Sequence, residues 1–381
     1  MNPQSDKPQL LYVGGFELPD KNAAAQRVLA VAKACSDIGY EVCFLSYSPE
    51  VSALRETDVQ GFRCFEFPCV SRAKALFDVS AVRSACSELP ALRGVIAYNF
   101  PTIALWRLKR LCSRRGLLCI GDVTEWYSAK GYAPIKRELK ALDTFLRMRV
   151  LNGRMDGLIV ISRYLEGVYS GDCPVVLVPP LVDRGERKWQ CDRACLTGGE
   201  EIVIGYAGSP SRTKERLDIV LECAAATWRD DLRFCLIGLE ERDYSGMYGK
   251  PVPDGANVTF LGRVEHGRAL QIVASCDYTI IFRDKNRVTE AGFPTKFVES
   301  VSLGTPVICN DNSDLAHWIN SSCCGMLSSP EELKSVFANL EKKQVTVADR
   351  WVFDYRRYKR AIAAFMDQVE KGGGKDHDYM R

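Results

Sequence analysis

Two short segments in the second half of the chain hold residue types suited to binding a diphosphate. The first is YAGSPSRTKERLD, where Gly208 and Ser209 follow an apolar run and Arg212 and Lys214 stand where the next helix is predicted to start. A helix N-terminus offers unpaired N–H groups and partial positive charge, so two cations there make a pyrophosphate site. A solvated pair of cations is the other reading of the same residues. The second segment is TEAGFPTKFVESVSLGTPVI. Gly292 lets backbone approach a ligand, Pro294 and Thr295 suit a helix start, and Gly304 suits its end. Lys296 falls in the first turn, with Glu299 three residues on along the same face. A carboxylate there can accept hydrogen bonds from the cis hydroxyls of a ribose while the N–H groups ahead of it face a phosphate. Taken alone, the pair also reads as an ordinary surface Lys/Glu pair.

The first half offers a different chemistry. Gly14 and Gly15 end the first apolar run, and Asn99 sits at the end of the run GVIAYNF. In GDVTEWYS, the residues Asp122, Glu125, Trp126 and Tyr127 cluster where a strand is predicted to end. Carboxylates bind sugar hydroxyls and an aromatic ring stacks on a sugar face; for the two acids a helix cap is the alternative. All three histidines lie in the last third, so a nucleophile with a histidine base in the first half is excluded.

Positioning these groups requires alternating strands and helices. LLYVGG, a polar loop, the helical stretch AAAQRVLAVAKACSDIG and EVCFLSY form a βαβ start, continued by GVIAYNF, LLCIGDV and DGLIVIS. After VVLVPPLVD the composition turns polar and glycine-tipped from Arg184 to Glu201, as in a linker. The alternation then restarts with EIVIGYAG, RFCLIG, NVTFLG, YTIIF and TPVICN. The fold class is therefore α/β, two Rossmann-like domains facing across a cleft. The predicted boundaries are 1–183, a linker at 184–200, 201–350, a C-terminal helix at 351–370 packing back on the first domain, and a disordered tail at 371–381. In parallel sheets, ligands gather at the carboxyl ends of the strands.

With 381 residues, 46% of them hydrophobic and 26% charged, the chain suits two domains and has no run long enough to span a membrane. Its first residues lack the pattern of an export signal, which predicts a cytoplasmic protein. The 16 cysteines sit singly in apolar stretches, and neither Cys191 with Cys195 nor Cys323 with Cys324 has the second pair a zinc site needs, so no metal is expected. Positive charge is local. Arg107, Lys109, Arg110, Arg114 and Arg115 occur without an acid among them, and seven more cations fall between Lys130 and Arg154 against Glu138 and Asp143. Both stretches have helical periodicity with leucines on one side. A solvated basic face is one reading; a surface attracted to anionic membrane, at its inner face, or to a phosphorylated acceptor is the other.

The YAGSPSRTKERLD loop with GFPTKFVES and the following glycine and TPVI resembles the C-terminal half of a retaining family-4 glycosyltransferase of the GT-B fold, of the bacterial surface-polysaccharide type. GGFELPDKNAAAQRV and the stretch from DGLIVIS to VPPLVD are similar to that family too, so the resemblance runs from about Leu10 to Phe365. It implies a metal-independent enzyme needing no cofactor, whose substrates are a nucleotide-sugar and a glycan or lipid-linked acceptor. It implies a donor site of Gly14, Gly15, Gly208, Ser209, Arg212, Lys214, Gly292, Phe293, Pro294, Thr295, Lys296 and Glu299. Arg263, after VTFLG, is a candidate for the rim of the base pocket. Asn99, Trp126 and Tyr127 would meet the acceptor. The family places two glutamates near the donor with seven residues between them; Glu299 matches the second, whereas the first falls on Ala291, and Glu290, one position early, is the catalytic candidate for that role unless the role has lapsed. Many members use a histidine in the first domain, and here Asp122 or Glu125 is the candidate to replace it.

Two rivals belong to other classes. A nicotinamide or flavin oxidoreductase is disfavoured because neither glycine loop gives G-x-G-x-x-G. A catalytically silent relative that binds a nucleotide-sugar or joins a complex is motivated by the displaced first glutamate. No binding of nucleic acid is expected.

Overall fold

A computed structural model describes residues 7–19, 22–191, 199–210, 214–342 and 344–372. The chain divides into two compact units, one of Met1–Leu181 with Tyr355–Arg381 and one of Val182–Asp354.

The first unit is an eight-stranded sheet of β1 (Gln9–Gly14), β2 (Glu41–Ser48), β3 (Arg55–Val59), β4 (Phe62–Pro68), β5 (Leu92–Tyr98), β6 (Leu118–Val123), β7 (Gly157–Val160) and β8 (Val175–Leu177). The strand order is β3-β4-β2-β1-β5-β6-β7-β8, and only β3 runs antiparallel to its neighbour. Leu10, Leu11, Tyr12 and Val13 are all fully buried, as in a strand covered on both faces. The helix Ala23–Asp37 follows, capped by Asn22 Oδ1, which accepts from Ala25 N at 2.8 Å. The β3–β4 hairpin is absent from the sequence reading. RETDV has no apolar alternation, and its turn depends on Gln60 and Gly61, both in the left-handed region at φ 54° and 84°.

The helix Lys359–Gly372 belongs to this unit and packs on Ala23–Asp37, with Lys359 Nζ 3.0 Å from Asp37 and Tyr40 OH donating to Glu370 at 2.6 Å. Its Phe365 and Val369 lie so close to Gly157 that a Cβ there would come within 2.7 Å and 2.6 Å of them. The helix starts later than the expected 351, because Tyr355–Tyr358 is a 3₁₀ turn.

The second unit is a six-stranded, all-parallel sheet of β9 (Ile202–Ala207), β10 (Leu232–Ile237), β11 (Val258–Phe260), β12 (Tyr278–Ile281), β13 (Val307–Cys309) and β14 (Gly325–Leu327), in the order β11-β10-β9-β12-β13-β14. The order reverses between β9 and β12, and that reversal is where such sheets open a crevice at their carboxyl edge. Two residues of the stretch expected to be a linker are anchored. Trp189 is buried, and Arg184 donates to the Ser302 carbonyl and lies 5.0 Å from the Trp351 ring. Residues 192–198 of that linker, Arg212 and residues 373–381 of the expected tail lie outside the described residues. Among the described residues no helix is long and apolar enough to cross a membrane.

Candidate functional site

Three glycine turns stack at the carboxyl ends of adjacent strands in the second unit. Gly208 N donates to Ile237 O at 3.0 Å, and Gly238 N donates to Gly262 O at 2.7 Å. Gly238, at φ 98°, has no room for a side chain: a Cβ would meet Gly208 O at 2.4 Å. Gly208, at φ 140°, faces Lys296, whose Nζ would be 3.2 Å from an added Cβ. The result is a bare backbone surface with an ammonium group beside it. Ser209 and Arg263 are exposed on either side of this stack, directly after Gly208 and Gly262.

Lys296 enters from the first turn of the helix Thr295–Leu303, whose N-cap Pro294 makes no side-chain cap hydrogen bond. Its Nζ donates to Tyr206 OH at 2.7 Å and to Glu215 Oε1 at 3.2 Å. Arg283, just after β12, donates to the same Glu215 oxygen at 2.9 Å, while its Nε is buried without a partner. Glu215 also bridges Arg283 through the backbone, so the cluster spans the reversal between β9 and β12. Burial is nearly complete, with side-chain exposures of 16% for Lys296, 4% for Glu215 and 10% for Arg283. Burial, with a smaller push from Arg283, brings the Lys296 ammonium down to about 8 against the opposing attraction of Glu215. Burial and Glu215 together push the Tyr206 phenol up, so it stays neutral. Two cations therefore share one carboxylate, and Lys296 holds its ammonium beside the glycine surface.

Glu299 lies one turn after Lys296, with Oε1 3.2 Å from His266 Nε2 at the start of the helix His266–Ser275. Glu290 does other work. Its Oε1 accepts from Ser313 N at 2.8 Å, and Ser313 Oγ donates to Gly292 O at 2.5 Å, so it fixes a loop at the end of β13. Gly292 is extended at φ −88°, a conformation open to any residue, so no left-handed backbone requires a glycine there. The Phe293 ring packs on Phe297 and Phe353 at 5.9 and 6.1 Å. Lys214 precedes the helix start expected for it, since the observed helix is Leu217–Ala225 with Arg216 as N-cap. Sequence reasoning passed over Glu215, Arg283, Tyr206 and His266. Glu215 lay inside the quoted loop, and an acid set between two cations was the signal.

In the first unit the expected residues fare unevenly. Asp122 is fully buried and both its oxygens are used, accepting from Tyr12 OH and from Arg27 Nε and Nη2, the shortest Arg27 contact being 2.7 Å. Arg27 Nη1 donates to the carbonyls of Val178 and Pro179 at 2.8 and 3.2 Å. Asp122 thus binds the sheet together and is closed to a sugar hydroxyl, which corrects its assignment as a catalytic candidate. Gly14 is a glycine because Tyr98 crowds it, a Cβ falling 2.6 Å from Tyr98 O; Gly15 is exposed with open space around it. Asn99, at φ 47°, is engaged with Thr124, donating from Nδ2 to Oγ1 at 2.6 Å. Trp126 is buried edge-on to Tyr164 beneath Arg149, and Tyr127 is half-buried with the Arg147 guanidinium 4.1 Å from its ring centre. Glu125 is partly exposed beside them. Among the described residues no group of three or more His, Cys, Asp and Glu side chains is placed to hold a metal ion.

Residues 201–342 match the family of group 1 glycosyl transferases. This stretch is a glycosyltransferase group 1 domain. No curated protein matches the whole sequence significantly. Among solved structures, the chain is similar to sucrose-phosphate synthase from Thermosynechococcus elongatus, at 15% identity over 96% of this chain and 93% of that one, with a TM-score of 0.58. It is similar to WaaG, a glycosyltransferase involved in lipopolysaccharide biosynthesis, at 14% identity over 96% and 98% of the two chains, TM-score 0.56. It is also similar to Anabaena HepE in complex with UDP and glucose, at 13% identity over 97% and 98%, TM-score 0.55. At such identities the likeness shows the fold, two parallel-sheet α/β units as in GT-B glycosyltransferases. The glycosyltransferase domain contains the whole Lys296 cluster, the glycine stack, Glu290 and Glu299.

Proposed function

We propose that this chain transfers a sugar from a nucleotide-sugar to a glycan or lipid-linked acceptor in surface-polysaccharide synthesis, with retention and without a metal, at the cytoplasmic face of a membrane. The observation that supports this most is the residual positive charge of the Lys296–Glu215–Arg283 cluster against the bare glycine turns. A diphosphate placed there meets Lys296, the open N–H groups of Thr295 and Lys296, and backbone at Gly208 and Ser209. Glu299, one turn on, is assigned to the ribose hydroxyls, and Arg263 to the rim of the base pocket. Lys214 and Arg212 remain assigned to the donor phosphates on the sequence reading. Glu125, with Trp126, Tyr127 and Asn99, is assigned to the acceptor side. HepE holds UDP and glucose, so UDP is the nucleotide expected first.

In the proposed reaction the bond between the anomeric carbon and the diphosphate oxygen breaks, and its electron pair leaves with the nucleoside diphosphate. The acceptor hydroxyl oxygen bonds to that carbon and its proton passes to the leaving phosphate oxygen, so no enzymic base is consumed. Lys296 is suited to this task because the charge it faces grows as the bond breaks. Its proton is held more firmly as the diphosphate becomes more negative.

The test is calorimetric binding of UDP, GDP and ADP with EDTA present, followed by release of free sugar from the matching nucleotide-sugars. Metal-free binding of one nucleotide and slow donor hydrolysis support the reading. Binding of none, or of a nucleotide with no turnover of any of its sugars, rules the transferase reading out.

A further inference from the structure

The helix Pro134–Leu146 is built as though it were to be buried, yet almost none of it is. Of its residues only Thr144 is buried. At 3.6 residues per turn, Ile135, Leu139, Leu142 and Leu146 share one narrow stripe, on the side opposite Thr144. Ile135 is 79% exposed and Leu139 63%, and Leu142, Phe145 and Leu146 are exposed as well. The leucine side therefore points away from the protein. An amphipathic helix normally gains its stability by burying that stripe, so this one lacks a partner for it.

The surroundings indicate the partner's chemistry. Lys130, Lys136, Arg137 and Arg149 are exposed along this helix and its flanks, and Glu138 is the one exposed acid on the helix itself. Asp143, the other acid, is engaged by Thr102 and Lys140. The neighbouring helix Thr102–Arg115 starts against it, with Thr102 Oγ1 donating to Asp143 O at 2.7 Å. That helix adds exposed Ile103 and Trp106 together with Arg107, Arg110, Arg114 and Arg115. Apolar side chains bracketed by cations, with a tryptophan among them, match the boundary between acyl chains and anionic headgroups.

We propose that the outward face of Pro134–Leu146, with Ile103 and Trp106 beside it, inserts into the interface of a membrane containing anionic lipid. The helix lies in the plane of the surface, its apolar stripe among the upper acyl chains and its lysines and arginines at the headgroups. This gives the membrane location in the proposed function a specific surface, and it stands on exposure and charge in the first unit, independent of donor binding.

The experiment is co-sedimentation of the full chain with vesicles of phosphatidylcholine alone and of phosphatidylcholine with one part in four of phosphatidylglycerol, at low and high salt. The expected result is binding to the anionic vesicles, weakened by salt, and weakened by about tenfold or more in Ile135→Ser/Leu139→Ser and in Lys136→Glu/Arg137→Glu. These side chains touch little of the protein, so melting temperature and UDP affinity of both variants should equal those of the native chain; loss of either would mark a misfolded variant, and Leu142→Ser alone then replaces it. Absence of vesicle binding, equal binding to both compositions, or binding unchanged in the variants overturns the proposal. So does a dimer in sedimentation velocity that Leu139→Ser dissolves, since a second copy would then cover the stripe. Vesicle binding without UDP binding would sink the donor reading and leave this surface intact.

Discussion

Each unit places a tyrosine of its first strand against a buried acid and buried cations, and the two clusters differ in their charge count. In the first unit Tyr12, Asp122 and Arg27 hold one negative and one positive charge, and the three guanidinium nitrogens of Arg27 all find acceptors. In the second, Tyr206, Glu215, Lys296 and Arg283 hold one negative and two positive charges, and Arg283 Nε has no partner. The balanced cluster is closed and serves as a tie between strands. The unbalanced one has Lys296 and Arg283 on a single Glu215 oxygen, and the proposed function assigns its extra cation to a diphosphate. A buried ion pair by itself says little about function; the excess charge and the open backbone beside it are what support the proposed donor site.

The largest effect that separates the clusters is on stability. Asp122→Ala leaves Arg27 charged and buried without its partner and should destabilise the first unit by about 3–5 kcal/mol. Replacing both, as Asp122→Leu with Arg27→Met, should recover most of that loss. Denaturant melts read both results, and UDP affinity of the folded fraction should stay unchanged. A small loss in the single variant would mean that Asp122 is solvated and open to a ligand after all.

Next is the pH dependence of the second cluster. Lys296 titrates near 8 in the folded chain against 10.5 for an ordinary lysine, so between those values the unfolded chain holds a proton that the native one has released. Stability should therefore rise with pH across that window, by up to about 3 kcal/mol from this group, and the rise should vanish in Lys296→Met. Melts at pH 7.5, 9 and 10.5 or so, on native and variant chains, decide it. A native chain with no more slope than the variant would show that Lys296 is not desolvated.

Smaller effects distinguish the two glutamates. Glu299→Ala should weaken UDP binding by about 1–2 kcal/mol, as loss of a hydrogen-bonded charge does. Glu290→Gln keeps an oxygen for Ser313 N and should change both UDP affinity and stability by less than about 0.5 kcal/mol. Equal effects on UDP affinity at both positions would restore Glu290 to the donor site.

Much of the fold is readable from local pattern. VVL, LIV and IVIG are short apolar runs set between glycines, prolines and helices, and such runs form buried parallel strands. The β3–β4 hairpin escapes this logic because RETDV is polar at each position but the last and pairs at a sheet edge. The site is readable where the chemistry is local. Lys296 and Glu299 sit on one helix face and their relation follows from spacing. Glu215 was missed because its burial depends on Arg283, 68 residues further on. Asp122 was misread for the same reason, since Arg27, which neutralises it, lies 95 residues earlier. A charged residue's role depends on partners that local sequence does not display.

The most direct test of the excess-charge account is calorimetric titration of UDP, with EDTA present, into native chain and Lys296→Met at pH 7 and pH 9. The native chain should bind at pH 7 and more weakly at pH 9, and the variant should bind about tenfold or more weakly at pH 7 with little further change. Native and variant chains with the same affinity at pH 7 would contradict it, and would move the diphosphate away from the Lys296 cluster.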